Sequence, residues 1–207
     1  MSSLLKDDTY RSITQPVSDP QIFKLKNSKF YSYAFRVTTQ HEVKCYLENI
    51  KKQHPKARHW CYAWQMGVQP PFSKRAHDNG EPSNTAGAPI LGQIQSFGLT
   101  NVLVIVVRYF GGVKLGVSGL ITSYRTAAAL CLEQAKISDF IVTDVLNLSF
   151  EYALTSEVMR VLKKHNFVVK SQYFSDKCSL DLEIPKSQTK AVKQIIDGIF
   201  GVKTTLL

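Results

Sequence analysis

The chain has 207 residues, is 44% hydrophobic and 20% charged, and carries a formal net charge of +10. That length supports a proper core, and the composition excludes disordered, collagenous and disulfide-dense chains. No apolar run approaches the roughly 20 residues of a membrane helix, and the polar start MSSLLKDDTYRSITQP lacks a signal-peptide core. The expectation is therefore a cytoplasmic protein.

The charge is unevenly divided. Residues 1–136 carry 17 Lys and Arg against 8 Asp and Glu, a balance of +9, while residues 137–207 carry 9 against 8, a balance of +1. Two modules with different surfaces are implied, and a basic module attracts nucleic acid, acidic proteins or small anions. Cys45, Cys61, Cys131 and Cys178 are widely spaced with no CxxC pair, so neither a disulfide framework nor a zinc site is expected. They read as reduced, mostly buried thiols.

Along the chain, Phe23 and Leu25 precede the turn Lys26-Asn27-Ser28, after which Tyr31, Tyr33, Phe35 and Val37 alternate with smaller or polar residues. This predicts a hairpin. Thr39 and Glu42 have capping-box spacing ahead of Val43, Tyr46, Leu47 and Ile50, which predicts a helix ending near His54-Pro55. Residues 57–66 read as a strand with His59, Cys61 and Ala63 on one face. Residues 67–87 read as one long irregular loop. A short helix over 88–97, a buried strand over 100–109 and an Ala/Leu-rich helix over 120–135 follow. From residue 145 onward the order is strand, helix, hairpin, helix, strand. That is the βαββαβ pattern of ferredoxin-like domains. The fold class is thus α+β, with domains over 1–137 and 138–207.

The segment RYFGGVKLGVSGL (108–120) joins that buried strand to the Ala/Leu-rich helix. Gly111 and Gly116 have P-loop spacing, but Val117 and Ser118 stand where Lys and Ser/Thr would be required, so a nucleotide loop is excluded. What remains is a strand-to-helix turn, with Arg108, Gly111, Gly112, Lys114 and Gly116 as a modest anion site. His59 and Cys61, two residues apart on a strand, sit about 7 Å apart, too far for a thiol–imidazole dyad. With Asp78 and Glu81 they are the catalytic candidates of an alternative enzymatic reading. In that reading Asp78 and Glu81 act as acid, base or metal ligands, but no complete metal site and no cofactor are indicated. The stretch 78–87 is also rich in turn and cap formers, and it reads as a recognition surface rather than a reaction centre. Lys24, Lys26, Lys29, Phe30, Tyr31 and Arg36, with Lys44, Lys51, Lys52, Lys56 and Arg58, interleave cations and rings as single-stranded RNA binders do.

The segments HPKARHWCYAW, DNGEPSNTAGAPILGQI and GLTNVLVIVVRYFGGVKLGVSGLITSYRTA resemble the YigZ/IMPACT family, over most of residues 20–135. The resemblance implies a ribosomal protein S5 domain 2-like N-terminal domain, followed in bacterial members by a ferredoxin-like domain. It also implies a place among translation regulators, with the ribosome as the partner of the similar domain pair in the translocation elongation factor. The eukaryotic members' kinase-restraining role depends on an RWD domain that has no counterpart here. The chain departs from the family's usual DDGEPSGTAG run in having Asn79 for Asp and Asn84 for Gly, which weakens a metal-site reading. The leading expectation is a non-enzymatic protein that binds RNA or the ribosome through its basic N-terminal domain. The alternatives are a hydrolase acting on a small anionic or peptide substrate, and a protein-interaction module.

Overall fold

The computed structural model describes residues 8–207. The chain divides into two compact units, Tyr10–Phe140 and Ile141–Leu207, the second including Asp8 and Thr9.

The first unit is built on a five-stranded antiparallel sheet of order β2-β3-β6-β4-β5, formed by β2 (Val17–Leu25), β3 (Ser28–Arg36), β4 (His59–Met66), β5 (Ser73–His77) and β6 (Val102–Tyr109). A two-stranded ribbon of β1 (Thr9–Ile13) and β7 (Ile137–Ile141) stands beside it. The central β6 is apolar at both parities, so it is covered on both faces. Val102, Val104 and Val106 pack under α2 (Gly87–Ser96) and α3 (Gly116–Gln134), against Ile90, Ile94, Tyr124, Ala128 and Leu132. Leu103, Ile105 and Val107 pack on the opposite face under α1 (Gln40–Gln53), with Val43 and Ile50. An all-apolar strand in a sheet with helices on both sides is what the alternation of 3.6 and 2.0 periodicities requires.

The capping box at the start of α1 forms as its sequence indicates. Thr39 accepts from the Glu42 N–H at 3.2 Å, and the Glu42 carboxylate accepts from the Thr39 N–H at 2.9 Å. The expected loop over 67–87 is interrupted by β5, which pairs with β4 from Tyr62↔His77 to Met66↔Ser73. β5 escapes detection because it is an edge strand with four of its five residues exposed, so it shows no hydrophobic alternation. The ribbon strands β1 and β7 were likewise not anticipated.

The second unit contains β8 (Thr143–Phe150), α4 (Thr155–Lys164), β9 (Val168–Phe174), β10 (Cys178–Pro185), α5 (Thr189–Asp197) and β11 (Lys203–Leu206). Its antiparallel sheet has the order β11-β8-β10-β9. Leu146, Leu148 and Phe150 of β8 and Leu180 and Leu182 of β10 pack under Val158, Leu162, Val192 and Ile196. This is the ferredoxin-like βαββαβ arrangement. The chain as a whole is α+β, and the first unit is compatible with a ribosomal protein S5 domain 2-like fold.

Candidate functional site

The register of the sheet places Phe30 opposite Arg108 and Arg108 opposite His59, so these three residues form one row at one end of β3, β6 and β4. They share the face covered by α2 and α3. Arg108 ends an apolar strand, yet its side chain is only 6% exposed, and such a charge needs a partner. Its Nη1 donates to Glu81 Oε1 at 2.7 Å, the Glu81 side chain being 4% exposed. The same carboxylate oxygen accepts from the Tyr124 hydroxyl at 2.8 Å, and Arg108 Nη2 reaches Ser28 Oγ at 3.4 Å. The guanidinium lies between two rings, with Cζ 5.6 Å from the centre of Phe30 and 5.5 Å from that of Phe110. Its Nε is buried without a partner.

Around this pair the 78–87 segment is pinned by its own chemistry. Asp78 accepts N–H bonds from Asn84 at 2.9 Å, Ala86 at 2.9 Å and Gly87 at 2.8 Å, and so caps α2 in place of a residue at the N-cap itself. Burial opposes its ionisation, but the three backbone donors outweigh that and hold Asp78 below the ordinary carboxylate range. Gly87 admits no side chain, because a Cβ there would lie 2.4 Å from the backbone nitrogen of His77. His59 Nδ1 is 3.0 Å from the Asn79 carbonyl, to which it donates, leaving Nε2 as the unprotonated nitrogen of the neutral ring. Asn79 Oδ1 accepts from the Trp60 N–H at 2.9 Å, a role an Asp oxygen would fill equally. Asn84 has φ +61, a conformation that Gly takes freely and Asn tolerates. Both departures from the family pattern therefore preserve the local geometry.

Of the four catalytic candidates, His59 and Glu81 both border Arg108, the first as its cross-strand neighbour and the second as its ion-pair partner, whereas the Asp78 carboxylate faces the start of α2. Cys61, the remaining candidate, is shielded. It is fully buried, its thiol donates to the Asp78 carbonyl at 2.8 Å, and it lies 3.3 Å from Tyr124 Oη. Burial pushes its pKa well up, away from the thiolate that a nucleophile needs. Arg108, expected with the glycine turn as an anion contact, is buried with its Nη1 on Glu81. Phe30 is fully buried and offers no stacking face. Among the described residues, no group of three or more His, Cys, Asp and Glu is gathered as a metal would require.

The glycine turn is a packing device at one position and an open surface at others. A Cβ on Gly111 would lie 2.1 Å from the carbonyl carbon of Asn27, so the turn abuts the β2–β3 hairpin, and Gly111 N–H donates to Ser28 Oγ at 3.2 Å. Gly112 and Gly116 have φ +87 and +74, with nothing within 4 Å of an added Cβ. Lys114 is exposed, as are Phe110 at 53% and Val117 at 60%. No side chain caps α3. On the opposite face of the sheet, Lys44, Lys51 and Lys52 are exposed on α1 and Arg58 just ahead of β4, with Lys51 Nζ 5.9 Å from the Trp60 ring centre. At the end of α1, His54 joins Tyr33 Oη at 2.6 Å through Nε2 and Tyr109 Oη at 3.0 Å through Nδ1. Ser28, Tyr124 and Phe110 were not anticipated as site residues. Tyr124 carries no signal because it falls on the apolar stripe of a helix.

Residues 26–132, more than half of the chain, match the Impact N-terminal domain. The chain belongs to the IMPACT family. It is 30% identical over 182 residues to IMPACT family member YvyE of Bacillus subtilis (strain 168), covering 88% of this chain and 83% of that one. It is 35% identical over 113 residues to IMPACT family member YigZ of Escherichia coli (strain K12), covering 54% and 55%. A crystal structure of a hypothetical protein superposes with a TM-score of 0.71 over 97% of both chains at 24% identity, which bears on the fold alone. No helix among the described residues is long and apolar enough to cross a membrane.

Proposed function

We propose that this IMPACT-family protein acts in the cytoplasm as a translation-associated factor, binding RNA, including that of the ribosome, through the basic surface of its first domain. The observation that carries this reading is the concentration of charge. The unit Tyr10–Phe140 holds sixteen Lys and Arg against seven Asp and Glu, a balance of +9. Lys44, Lys51 and Lys52 on α1 are exposed and none pairs with a carboxylate among the described residues. Such unpaired cations favour a polyanion whose counterions they release. The family resemblance to translation regulators supports the same direction. The second unit offers less. On the sheet face turned from its helices, Asn147, Ser179 and Asp181 are joined by bonds of 2.9 and 2.7 Å from Asn147 Nδ2, with one exposed ring, Tyr173, opposite Ser179.

Filter binding to ribosomal subunits and to RNA, titrated with salt, tests the proposal. Lys51→Ala with Lys52→Ala lowers both affinity and salt slope if α1 contributes phosphate contacts. An absence of binding at low salt contradicts the proposal.

One observation favours an enzymatic second reading: a half-buried His59 whose ring is fixed through Nδ1, with Nε2 left to act as a base. A hydrolase screen comparing the native chain with His59→Ala decides it, because activity that survives the change removes His59 from any mechanism.

A further inference from the structure

We infer that single-stranded RNA binds across one end of the five-stranded sheet, its phosphates on lysines of the β2–β3 hairpin and its base stacked on Phe110. This rests on the RNA reading above and narrows it to a site and a strand form.

Three chain segments meet at that end: the β2–β3 turn, the chain leaving β6, and the chain entering β4. Lys29 lies opposite Tyr109, and the contact of Gly111 with Asn27 fastens the glycine turn to the hairpin. Continuing the His59↔Arg108 register by one residue sets Arg58 opposite Tyr109. Lys24, Lys29 and Arg58 lie on the α1 side of that end and Lys26 and Lys114 in its two turns, all exposed and none in an ion pair among the described residues. The acids of that end are engaged elsewhere, Glu81 with Arg108 and Tyr124, Asp78 with the start of α2.

Two features of the hairpin run against its own stability. Lys24 and Lys29 are direct cross-strand partners, a like-charge pairing that weakens a sheet. Lys26 occupies a left-handed position at φ +44, which suits Asn or Gly. A polyanion laid along the edge relieves the repulsion, and its absence leaves the cost in place. Phe110 supplies what a phosphate site lacks. Its ring is more than half exposed and is presented over a guanidinium that Glu81 and Ser28 hold fixed, so little freedom is lost when a base stacks on it. A cationic edge beside one pre-positioned aromatic suits a single strand with unstacked bases. A duplex keeps its bases away from such a ring.

Fluorescence anisotropy of the full chain with a labelled uridine oligomer, and with an RNA duplex of the same length, tests this. Phe110→Ala is expected to weaken single-strand binding about tenfold, with the salt slope unchanged. Lys24→Thr with Lys29→Thr is expected to lower the slope by about 1.4 and to raise the thermal midpoint, a readout that a generally damaged fold would not give. Lys74→Ala with Arg75→Ala, on β5, leaves binding unchanged. Native-like binding by both the Phe110 and the lysine variants places the RNA elsewhere on the domain and overturns this site while the broader proposal stands. Equal losses for duplex and single strand overturn the strand form. Failure of the native chain to bind any RNA removes both proposals.

Discussion

Glu81 and Arg108, 27 positions apart, form an ion pair at 2.7 Å with both side chains almost sealed from solvent. It ties the 78–87 segment to the end of β6, with Tyr124 donating to the same oxygen. Removing one partner leaves a buried, uncompensated charge, which costs about 3–5 kcal/mol. Glu81→Ala and Arg108→Ala should each destabilise the chain by that order in urea denaturation. The double substitution should cost less than the two single losses together. Additive losses would show that the pair contributes no coupling.

Gly111 and Gly112 are neighbours with different requirements. A Cβ on Gly111 meets backbone at 2.1 Å, whereas Gly112 faces open space and demands only φ +87. Gly111→Ala should cost about 3 kcal/mol, the upper end for overpacking, and Gly112→Ala about 1–2 kcal/mol, the left-handed penalty. Denaturation midpoints for the two variants check the order.

The contrast marks the limit of what the sequence discloses. The run of glycines announced a sharp strand-to-helix turn, and the Thr39/Glu42 spacing announced the start of α1, because both signals are local. Gly111's partner is Asn27 and Arg108's is Glu81, contacts set by sheet register and long loops that no local pattern encodes. Phe30 and Phe110 look alike as aromatics beside cations. Only the fold buries the first and exposes the second. β5 was hidden for a related reason, since an exposed edge strand has no buried face to print on the sequence.

The cysteines differ in reactivity for the same reason. Cys45 is exposed, while Cys61, Cys131 and Cys178 are buried, and burial pushes Cys131 up to about 12. A thiol reagent should label one cysteine rapidly in the folded chain and the remaining three only on unfolding. Rapid native labelling of Cys61 would contradict the shielded thiol described above.

His54 makes stability sensitive to mild acid. Burial lowers its pKa in the folded chain, so below its unfolded value of about 6.5 the unfolded state binds more protons. Its contribution is present above that value and is lost as pH falls through the lower folded pKa. Stability should decline from about pH 6.5 downward, and His54→Gln should flatten that part of the profile even though it weakens the contacts to Tyr33 and Tyr109. An unchanged pH profile would dissociate His54 from the effect.

The most direct test of the central claim is the salt dependence of single-stranded RNA binding by the full chain. If the five cations at the sheet end each neutralise a phosphate, log affinity should fall linearly with log salt with a slope of about −3.5. That slope should shrink when Lys24 and Lys29 are replaced. Affinity independent of salt, or no binding at low salt, would contradict the account.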